Sequence, residues 1–275
     1  MSKISVYTMT TNSITKEYTT IEGIKSALLF ADEVVVMDGG STDNTIEKIK
    51  EINDPRIKIF YNEWLPSLGK AMWAINKSMA IGHCTGDWCI LMDADEVYHE
   101  EDIEAIRRLP DVVASNINAI EFNTLHFYKD YLHLLNGCPD WKDLYVKKIY
   151  MVRNGIGIHH GAIGFDPDIQ VDRHNRTIPQ DQTVLSKIRV FHYGHVRSKE
   201  VYVPKRNTIE EAWNGDEYKH VDVDNFEWMP DYKLTDFKGT HPSVMQDRIN
   251  AGTDHSKIMK LYDYTEGDVD ARSSV

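Results

Sequence analysis

The amino-acid sequence predicts a mixed α/β fold with a mainly parallel sheet and helices on both of its faces. The first observation is a set of short apolar runs rich in β-branched residues, such as Val34-Val35-Val36, which are typical of buried strands. The second is that longer segments with apolar residues at helical spacing separate these runs over the first 110 residues. Strands that alternate with helices in this way favour a parallel sheet.

The elements follow in a regular order along this first part of the chain. Strands are predicted at residues 4–8, 33–37, 56–61 and 88–92. Helices are predicted at residues 19–30, after the possible caps Ser41 and Asp43, and at residues 67–84 and 100–109, the last ended by Pro110. After Pro110 we expect strands at residues 119–128, 144–152 and 187–193, loops at 154–182 and an irregular C-terminal region in one compact unit.

Composition limits the class of protein further. The 275 residues carry a net charge of −12, which argues against a general nucleic-acid binder. No apolar run approaches the roughly 18 residues that a membrane span requires, and we expect no such span. The N-terminal residues enter a strand without a secretory segment, and the three cysteines have no metal-ligand spacing, so we expect a cytoplasmic protein.

Charge is distributed unevenly along the sequence. Residues 142–206 contain 12 Lys and Arg against 6 Asp and Glu, whereas the remainder contains 19 against 37. A local balance of +6 in an otherwise acidic chain indicates either ordinary surface solvation or contact with anions.

Two acidic motifs each follow a predicted parallel strand. Asp38-Gly39-Gly40-Ser41 follows the second strand, and Asp93-Ala94-Asp95-Glu96 follows the fourth. Either motif alone usually forms a turn or a helix cap. Their shared place after parallel strands brings both to one sheet edge, where α/β proteins bind ligands. The second motif offers carboxylate oxygens as ligands to Mg²⁺ or Mn²⁺. An ion held by these oxygens would also bind the oxygens of a diphosphate.

These motifs, in this order, resemble the family 2 glycosyltransferases, which have the Rossmann-like GT-A fold. The matching residues are 34–45, Gly69-Lys70-Ala71, Asn76, residues 85–88 and residues 91–96. The resemblance covers about the first 110 residues. It implies a nucleotide-sugar donor, a divalent cation (Mn²⁺ or Mg²⁺) and inversion at the anomeric carbon. It also implies that residues 1–110 form the nucleotide-sugar-binding half and residues 111–275 the acceptor-side half of one domain.

The resemblance assigns roles to individual positions. Asp38 would contact the nucleoside, and Asp93 and Asp95 would hold the metal and the ribose–diphosphate. Base-pocket and phosphate contacts are assigned to Thr8, Thr10 and Lys70. The sequence departs from the family at Gly39, where many members have a second acidic residue.

The segment His192-Tyr193-Gly194-His195-Val196-Arg197 looks like one that faces the donor diphosphate late in many family members. A core histidine is the plain interpretation of His192, and a third metal ligand is the functional one, because neutral imidazole suits Mn²⁺. Arg197 and Lys199 would then clamp the diphosphate.

An inverting transfer needs a group that deprotonates the acceptor hydroxyl. In the family this group is an Asp or Glu about 90 residues after the Asp-x-Asp motif, which favours Asp181. The competing candidates are Asp166, Asp168, Asp172, His159 and His160.

The sequence therefore predicts a metal-dependent inverting glycosyltransferase that acts on a hydroxyl acceptor. The basic surplus suggests a polyanionic acceptor, either a glycan or, as in a phage-type DNA glycosyltransferase, DNA with hydroxylated bases. A nucleotidyltransferase is a further alternative, although residues 8–12 lack the Gly-rich basic loop that it would need. A non-catalytic nucleotide-sugar-binding protein is another, against which the intact Asp93-Ala94-Asp95 argues.

Overall fold

The structure is a computed structural model, and it describes residues 1–135, 147–161, 170–172, 174, 176–214, 219–228 and 233–264. The strands are β1 Ile4–Thr10, β2 Glu33–Asp38, β3 Ile57–Tyr61, β4 Trp88–Leu91, β5 Glu96–Tyr98, β6 Ala119–Tyr128, β7 His133–Leu135, β8 Lys147–Arg153, β9 His159–His160, β10 Gln170–Val171, β11 Thr183–His195 and β12 Leu234–Asp236. The α-helices are α1 Thr20–Ala27, α2 Thr45–Glu51, α3 Ala71–Gly82, α4 Ile103–Val112, α5 Lys199–Asn214, α6 Gln246–Ala251 and α7 His255–Leu261.

One large sheet organises the described part of the chain, with neighbouring strands in the order β12-β7-β6-β8-β4-β1-β2-β3. The strands β3, β2, β1 and β4 are all parallel to one another. Strand β8 is antiparallel to both β4 and β6, so β6 regains the direction of β4, and β11 pairs with β6 in parallel. The predicted α/β class with a mainly parallel sheet is confirmed.

Alternate residues of β2 show why helices cover both faces of this sheet. Val34 and Val36 pack into the core that contains the inner faces of α1 and α2. Val35 and Met37 pack into a second core that contains Ala80 and Ile81 of α3. Each of the four β2 side chains is fully buried, which contributes about 1.5–3 kcal/mol apiece. A strand buried on both sides in this way reads as a continuous apolar run.

The elements after residue 98 differ most from the predicted ones. Helix α4 begins at Ile103 and continues through Pro110 to Val112, because the proline lies in the last turn and forfeits only one intrahelical hydrogen bond. Strand β11 has 13 residues where seven were expected. Helix α5 was not predicted, and it contains Pro204. Helices α6 and α7 likewise give order to a region that was expected to be irregular.

Helices α6 and α7 close the molecule against the loop that follows β1. Glu17, in this loop, is buried and has a positive φ of 53°. Its carboxylate lies 2.6 Å from His255 Nδ1 and accepts hydrogen bonds from the backbone and hydroxyl of Ser198, and its carbonyl accepts one from Arg248. The start of the chain is therefore fixed by residues near its end.

Candidate active site

The acidic motifs lie at the same edge of the sheet, where β1, β2 and β4 end. Thr10 pairs with Asp38 at the ends of β1 and β2, and Asp93 follows β4 by two residues. This arrangement follows from the parallel pairing of these strands, and it is the edge at which open α/β sheets bind ligands.

Asp38 organises the loop that follows its own strand. Its carboxylate is buried and accepts hydrogen bonds from the backbone N–H groups of Gly40 (3.1 Å) and Ser41 (3.0 Å) and from the Ser41 hydroxyl (2.5 Å). Gly40 has a φ of +87°, which favours glycine in this tight turn. Asp38 therefore shapes the loop, and its contact with a nucleoside stays a prediction.

The other residues predicted to bind the donor lie around this edge. Thr8 and Thr10 are buried on β1, and the Thr10 hydroxyl contacts that of Ser13. Lys70 lies at the residue that precedes α3 and is half-buried. Their roles toward a donor stay predictions.

Asp93 is held by two lysines from different elements. Lys77 of α3 lies 2.8 Å from its Oδ1, and Lys148 of β8 lies 2.6 Å from its Oδ2. Both carboxylate oxygens of Asp93 are thus neutralised by ammonium groups. Sequence reasoning gave no role to Lys77, although it lies seven residues after Lys70 and so on the same side of a helix.

Glu96 lies next to Asp93, accepts a hydrogen bond from its backbone N–H and shares Lys148 with it. Lys148 Nζ is 3.2 Å from Glu96 Oε1, which also accepts a hydrogen bond of 2.6 Å from the Tyr150 hydroxyl. Burial raises the pKa of Glu96 to about 7, while Lys148 opposes the rise and Asp93 adds to it. Within the acidic motif, Glu96 is therefore the carboxyl group whose charge depends most on the lysine beside it.

Asp95 is buried and holds two further cations. Its Oδ2 lies 3.0 Å from Arg197 and 2.9 Å from Lys205 of α5. Burial alone would raise the pKa of Asp95, but Lys205, His192 and Arg197 hold it well below its usual range. Burial, together with Arg197, lowers the pKa of Lys205 to about 8. The structure thus brings Arg197 to Asp95, and it adds Lys205, which sequence reasoning missed.

The aromatic ring of Tyr18 contacts both of these cations. The Arg197 guanidinium lies 4.0 Å from the centroid of the Tyr18 ring, and Lys205 Nζ lies 4.9 Å from it. Arg197 also donates hydrogen bonds to the carbonyls of Gly194 and Lys16. Because its position is fixed from several sides, the guanidinium loses little further freedom on binding an anion.

His192 lies between Asp95 and a second histidine. Its Nε2 is 3.6 Å from Asp95 Oδ1, and its Nδ1 is 3.1 Å from Nδ1 of His126 on β6. His195 joins this group, and one ring nitrogen from each of the three histidines lies within 4.8 Å of the others. Burial lowers the pKa of His192 to about 4, despite the opposing effect of Asp95, so the imidazole is neutral at pH 7.

Two predicted residues do not reach this cluster. Lys199 donates a 2.7 Å hydrogen bond to the carbonyl of Phe226, away from Asp95. Asp181 is exposed in a short turn before β11, whereas His192 lies near the other end of that strand. His192 is nine residues after Thr183, the first residue of β11, and at about 3.3 Å per residue these two positions lie roughly 30 Å apart. The geometry therefore gives no support to Asp181 as the general base or to Lys199 as a phosphate ligand.

The competing base candidates have different surroundings. Asp172 is paired with Arg176 at 2.7 Å, and His160 Nε2 lies 2.8 Å from the Tyr7 hydroxyl. His159 precedes His160 in β9 and is half-buried. Asp166 and Asp168 lie outside the described residues.

Many of the basic side chains between residues 142 and 206 have partners within the protein. Seven of them besides those at Asp95 contact acidic groups, an aromatic ring or a backbone carbonyl: Lys147, Lys148, Arg153, Arg176, Arg189, Lys199 and Arg206. Lys142 and Arg173 lie outside the described residues. The structure thus removes much of the reason to expect a polyanionic acceptor, whose identity stays a prediction.

Comparison with known proteins identifies the family of the chain. It belongs to glycosyl transferase family 2, whose family model matches residues 5–164 and so more than half of the chain. The predicted resemblance is confirmed. The match extends well beyond the first 110 residues that carry the recognisable motifs.

Similar curated proteins match part of this chain. An uncharacterized glycosyltransferase of Rickettsia typhi is 33% identical over 101 residues, which are 37% of this chain and 30% of the relative. The glycosyltransferase SunS of Bacillus phage SPbeta is 25% identical over 187 residues, which are 65% of this chain and 36% of SunS. The chain spans about a third of the length of these relatives.

Solved structures of glycosyltransferases also resemble the chain. Residues 1–349 of TarS from S. aureus, in complex with UDP, give a TM-score of 0.44 at 17% identity, over 79% of this chain and 67% of that one. A mannosyltransferase of Pyrobaculum calidifontis, in complex with GDP-Man and Mn²⁺, gives 0.34 at 22% identity, over 43% and 34%. In the described part of the chain, no helix has the length and apolar character that crossing a membrane requires.

Proposed function

We propose that this protein is a metal-dependent, inverting glycosyltransferase that moves a sugar from a nucleotide-sugar donor to a hydroxyl acceptor. Its membership of glycosyl transferase family 2 supports glycosyl transfer. The observation that carries the finer proposal is the convergence of four cationic side chains on three carboxylates at the carboxyl edge of the sheet. The carboxylates are Asp93, Asp95 and Glu96, and the cations are Lys77, Lys148, Arg197 and Lys205.

This balance of charge suits a diphosphate. In an acidic chain, the acidic motif is fully offset by cations that lie within 3.2 Å of it. A nucleoside diphosphate, which develops negative charge as the sugar departs, would meet Arg197 and Lys205 already fixed in place. Cations that are placed in advance stabilise such a leaving group without reorganisation during the reaction.

The residues also fit a divalent cation. Asp95 supplies a carboxylate oxygen and His192 a neutral imidazole nitrogen, and this pair of ligand types suits Mn²⁺ better than Mg²⁺. Asp93 is less suited to a metal because both of its oxygens already contact lysines. When bound, the metal would neutralise charge on the diphosphate oxygens.

The remaining residues would place the donor. The loop that Asp38 shapes lies beside Thr8 and Thr10 at the same sheet edge. With the diphosphate of a donor bound at Asp95, the attached nucleoside would occupy this loop. Lys70 would face the phosphates from the start of α3. The acceptor hydroxyl would then attack the anomeric carbon from the side opposite the diphosphate.

Two measurements test this proposal. The purified protein is screened by thermal shift against nucleoside diphosphates and nucleotide sugars, with and without Mn²⁺, since a ligand of the folded state raises the melting temperature. We expect one donor to stabilise the protein only when Mn²⁺ is present. With that donor, the anomeric configuration of the product is read from its proton NMR coupling constants, and we expect inversion.

The matched variants are Asp95→Asn and Asp263→Asn. Asp263 is an exposed aspartate that pairs with Lys48 at 3.1 Å, and it has no role in the proposed site. Asp95→Asn should remove the Mn²⁺-dependent shift and lower kcat by at least about a hundredfold, whereas Asp263→Asn should behave as the wild type. Full activity in excess EDTA would exclude the metal, and retention of configuration would exclude the inverting mechanism.

A further inference from the structure

Three histidines meet beside Asp95, and the contacts of His192 distinguish its role from that of His126. Its Nδ1 is 3.1 Å from Nδ1 of His126, within hydrogen-bond distance. A neutral imidazole carries one N–H, on either nitrogen. For the two facing Nδ1 atoms to form a hydrogen bond, one must carry the hydrogen and the other a lone pair, and in a neutral His192 this choice decides which ring nitrogen keeps its lone pair.

The other nitrogen of His192 faces a carboxylate without bonding to it. Nε2 lies 3.6 Å from Asp95 Oδ1, which is too long for a hydrogen bond. An N–H at this position would be drawn to about 2.8 Å by the charged carboxylate. The longer separation therefore indicates that Nε2 carries a lone pair on this side, and this nitrogen and Oδ1 together would offer two ligand atoms to a cation.

The other oxygen of Asp95 is already committed. Oδ2 is the atom that contacts both Arg197 (3.0 Å) and Lys205 (2.9 Å). These two cations thus leave Oδ1 as the oxygen directed at His192. The carboxylate is divided between a cationic side and a side with an imidazole nitrogen.

Gly194 makes this approach possible. A Cβ atom at Gly194 would lie 2.6 Å from both Cε1 and Nε2 of His192 and 2.7 Å from Asp95 Oδ2. Such contacts are far below van der Waals separation. The absence of a side chain at this residue lets the imidazole and the carboxylate meet on one side of β11.

We propose that His126 is a positioning residue that accepts the Nδ1–H of His192 and so keeps the Nε2 lone pair of His192 directed at Asp95 as a metal ligand. The proposal rests on the metal-dependent function proposed above. In metal sites, a ligating histidine almost always donates its other N–H to a fixed acceptor. His126 is buried on the neighbouring strand β6, which pairs with β11 at this very position, so its ring is held in place.

Two substitutions of His126 separate this role from a merely structural one. The amide oxygen of His126→Asn lies close to the place of Nδ1 and still accepts a hydrogen bond, whereas His126→Phe keeps a ring without an acceptor. His83→Phe is the matched control, because His83 stacks on Phe60 outside the site.

The first readout uses the metal-free protein. In ¹⁵N-histidine NMR spectra at pH 7.5, we expect His192 to carry its proton on Nδ1 in the wild type, in His126→Asn and in the control. In His126→Phe the Nε2–H form should become populated. A wild-type His192 that carries its proton on Nε2 would overturn the assignment, whatever the metal does.

The second readout is Mn²⁺ affinity, measured by the EPR signal of free Mn²⁺. His126→Phe should weaken binding about 10- to 100-fold, the usual effect of losing such a partner, and His126→Asn should stay within about threefold of the wild type. Equal losses in both variants would show that His126 is itself a ligand and would overturn the proposal. A wild-type protein that binds no Mn²⁺ would instead overturn the metal-dependent function.

Discussion

The substitution Gly194→Ala provides a direct test of the site geometry. A new Cβ would lie 2.6 Å from two atoms of the His192 ring and 2.7 Å from Asp95 Oδ2. Ordinary contact begins near 3.5 Å, so the imidazole and the carboxylate would each have to move about 1 Å away from the new Cβ. The φ of Gly194 lies outside the left-handed region, and alanine therefore meets a contact problem and not a backbone one.

This displacement has a cost that can be estimated. Overpacking of this kind usually destabilises a protein by about 1–3 kcal/mol. A displacement of 1 Å at a binding site costs up to about a hundredfold, so we expect Mn²⁺ and donor affinity to fall by about 10- to 100-fold. By the usual conversion, this is about 1.4–2.7 kcal/mol of binding free energy.

The assay is a Mn²⁺ titration followed by EPR, with the unfolding free energy measured in urea on the same samples. The control is Gly82→Ala at the end of α3, where a Cβ meets nothing within 4 Å. Gly82→Ala should leave Mn²⁺ affinity unchanged. If Gly194→Ala bound Mn²⁺ as tightly as the wild type, the pairing of His192 with Asp95 could not be the metal site.

Acid stability, the candidate base and the acceptor each provide a further test. Hydrogen bonds from Lys58, Ser5 and Thr85 outweigh burial and lower the pKa of Glu33 to about 2, so its contribution is present above pH 4.5 and is lost as the pH falls toward 2. Glu33→Gln should cost about 2–3 kcal/mol in urea unfolding at pH 7 and flatten the stability profile between pH 4.5 and 2; an unchanged profile would contradict the shift. From its distance to His192, Asp181→Asn should keep kcat within about threefold, and a hundredfold loss would restore it as the base. Because many of the basic side chains between residues 142 and 206 already contact partners within the protein, the acceptor KM should vary little between 50 and 200 mM salt. A steep rise of this KM with salt would indicate a polyanionic acceptor.

The sequence was sufficient where the structure depends on local pattern. Buried β-branched runs and helical spacing predicted the strands β1 to β4, and the parallel order of these strands placed Asp38 and Asp93 at one edge. Helix α5 was missed because Pro204 and a polar composition disguise it. Its fold depends on packing against residues that are distant in sequence.

Sequence spacing failed where partners come from distant elements. Lys205 lies 110 positions from Asp95, and Lys148 lies 55 from Asp93, so the pairs become visible only when α5 and β8 are placed. Asp181 shows the converse case, and its role as the general base stays a prediction. It has a suitable separation along the chain, but the long strand β11 carries His192 to the other end. Distance along a sequence does not determine distance in space once a 13-residue strand intervenes.

The contacts between Glu17 and helices α6 and α7 limit where this protein can be truncated or fused to another. Residues 5–164 match the family model and could be mistaken for a unit that folds and functions by itself. Yet the Tyr18 ring contacts Arg197 and Lys205, and the preceding residue, Glu17, is held by Arg248 and His255. A chimera or truncated version built on the family boundary would retain the acidic motif and discard both the cations at Asp95 and the residues that hold Glu17. Swaps of donor specificity in this protein should therefore exchange single loops at the sheet edge and leave the C-terminal helices in place.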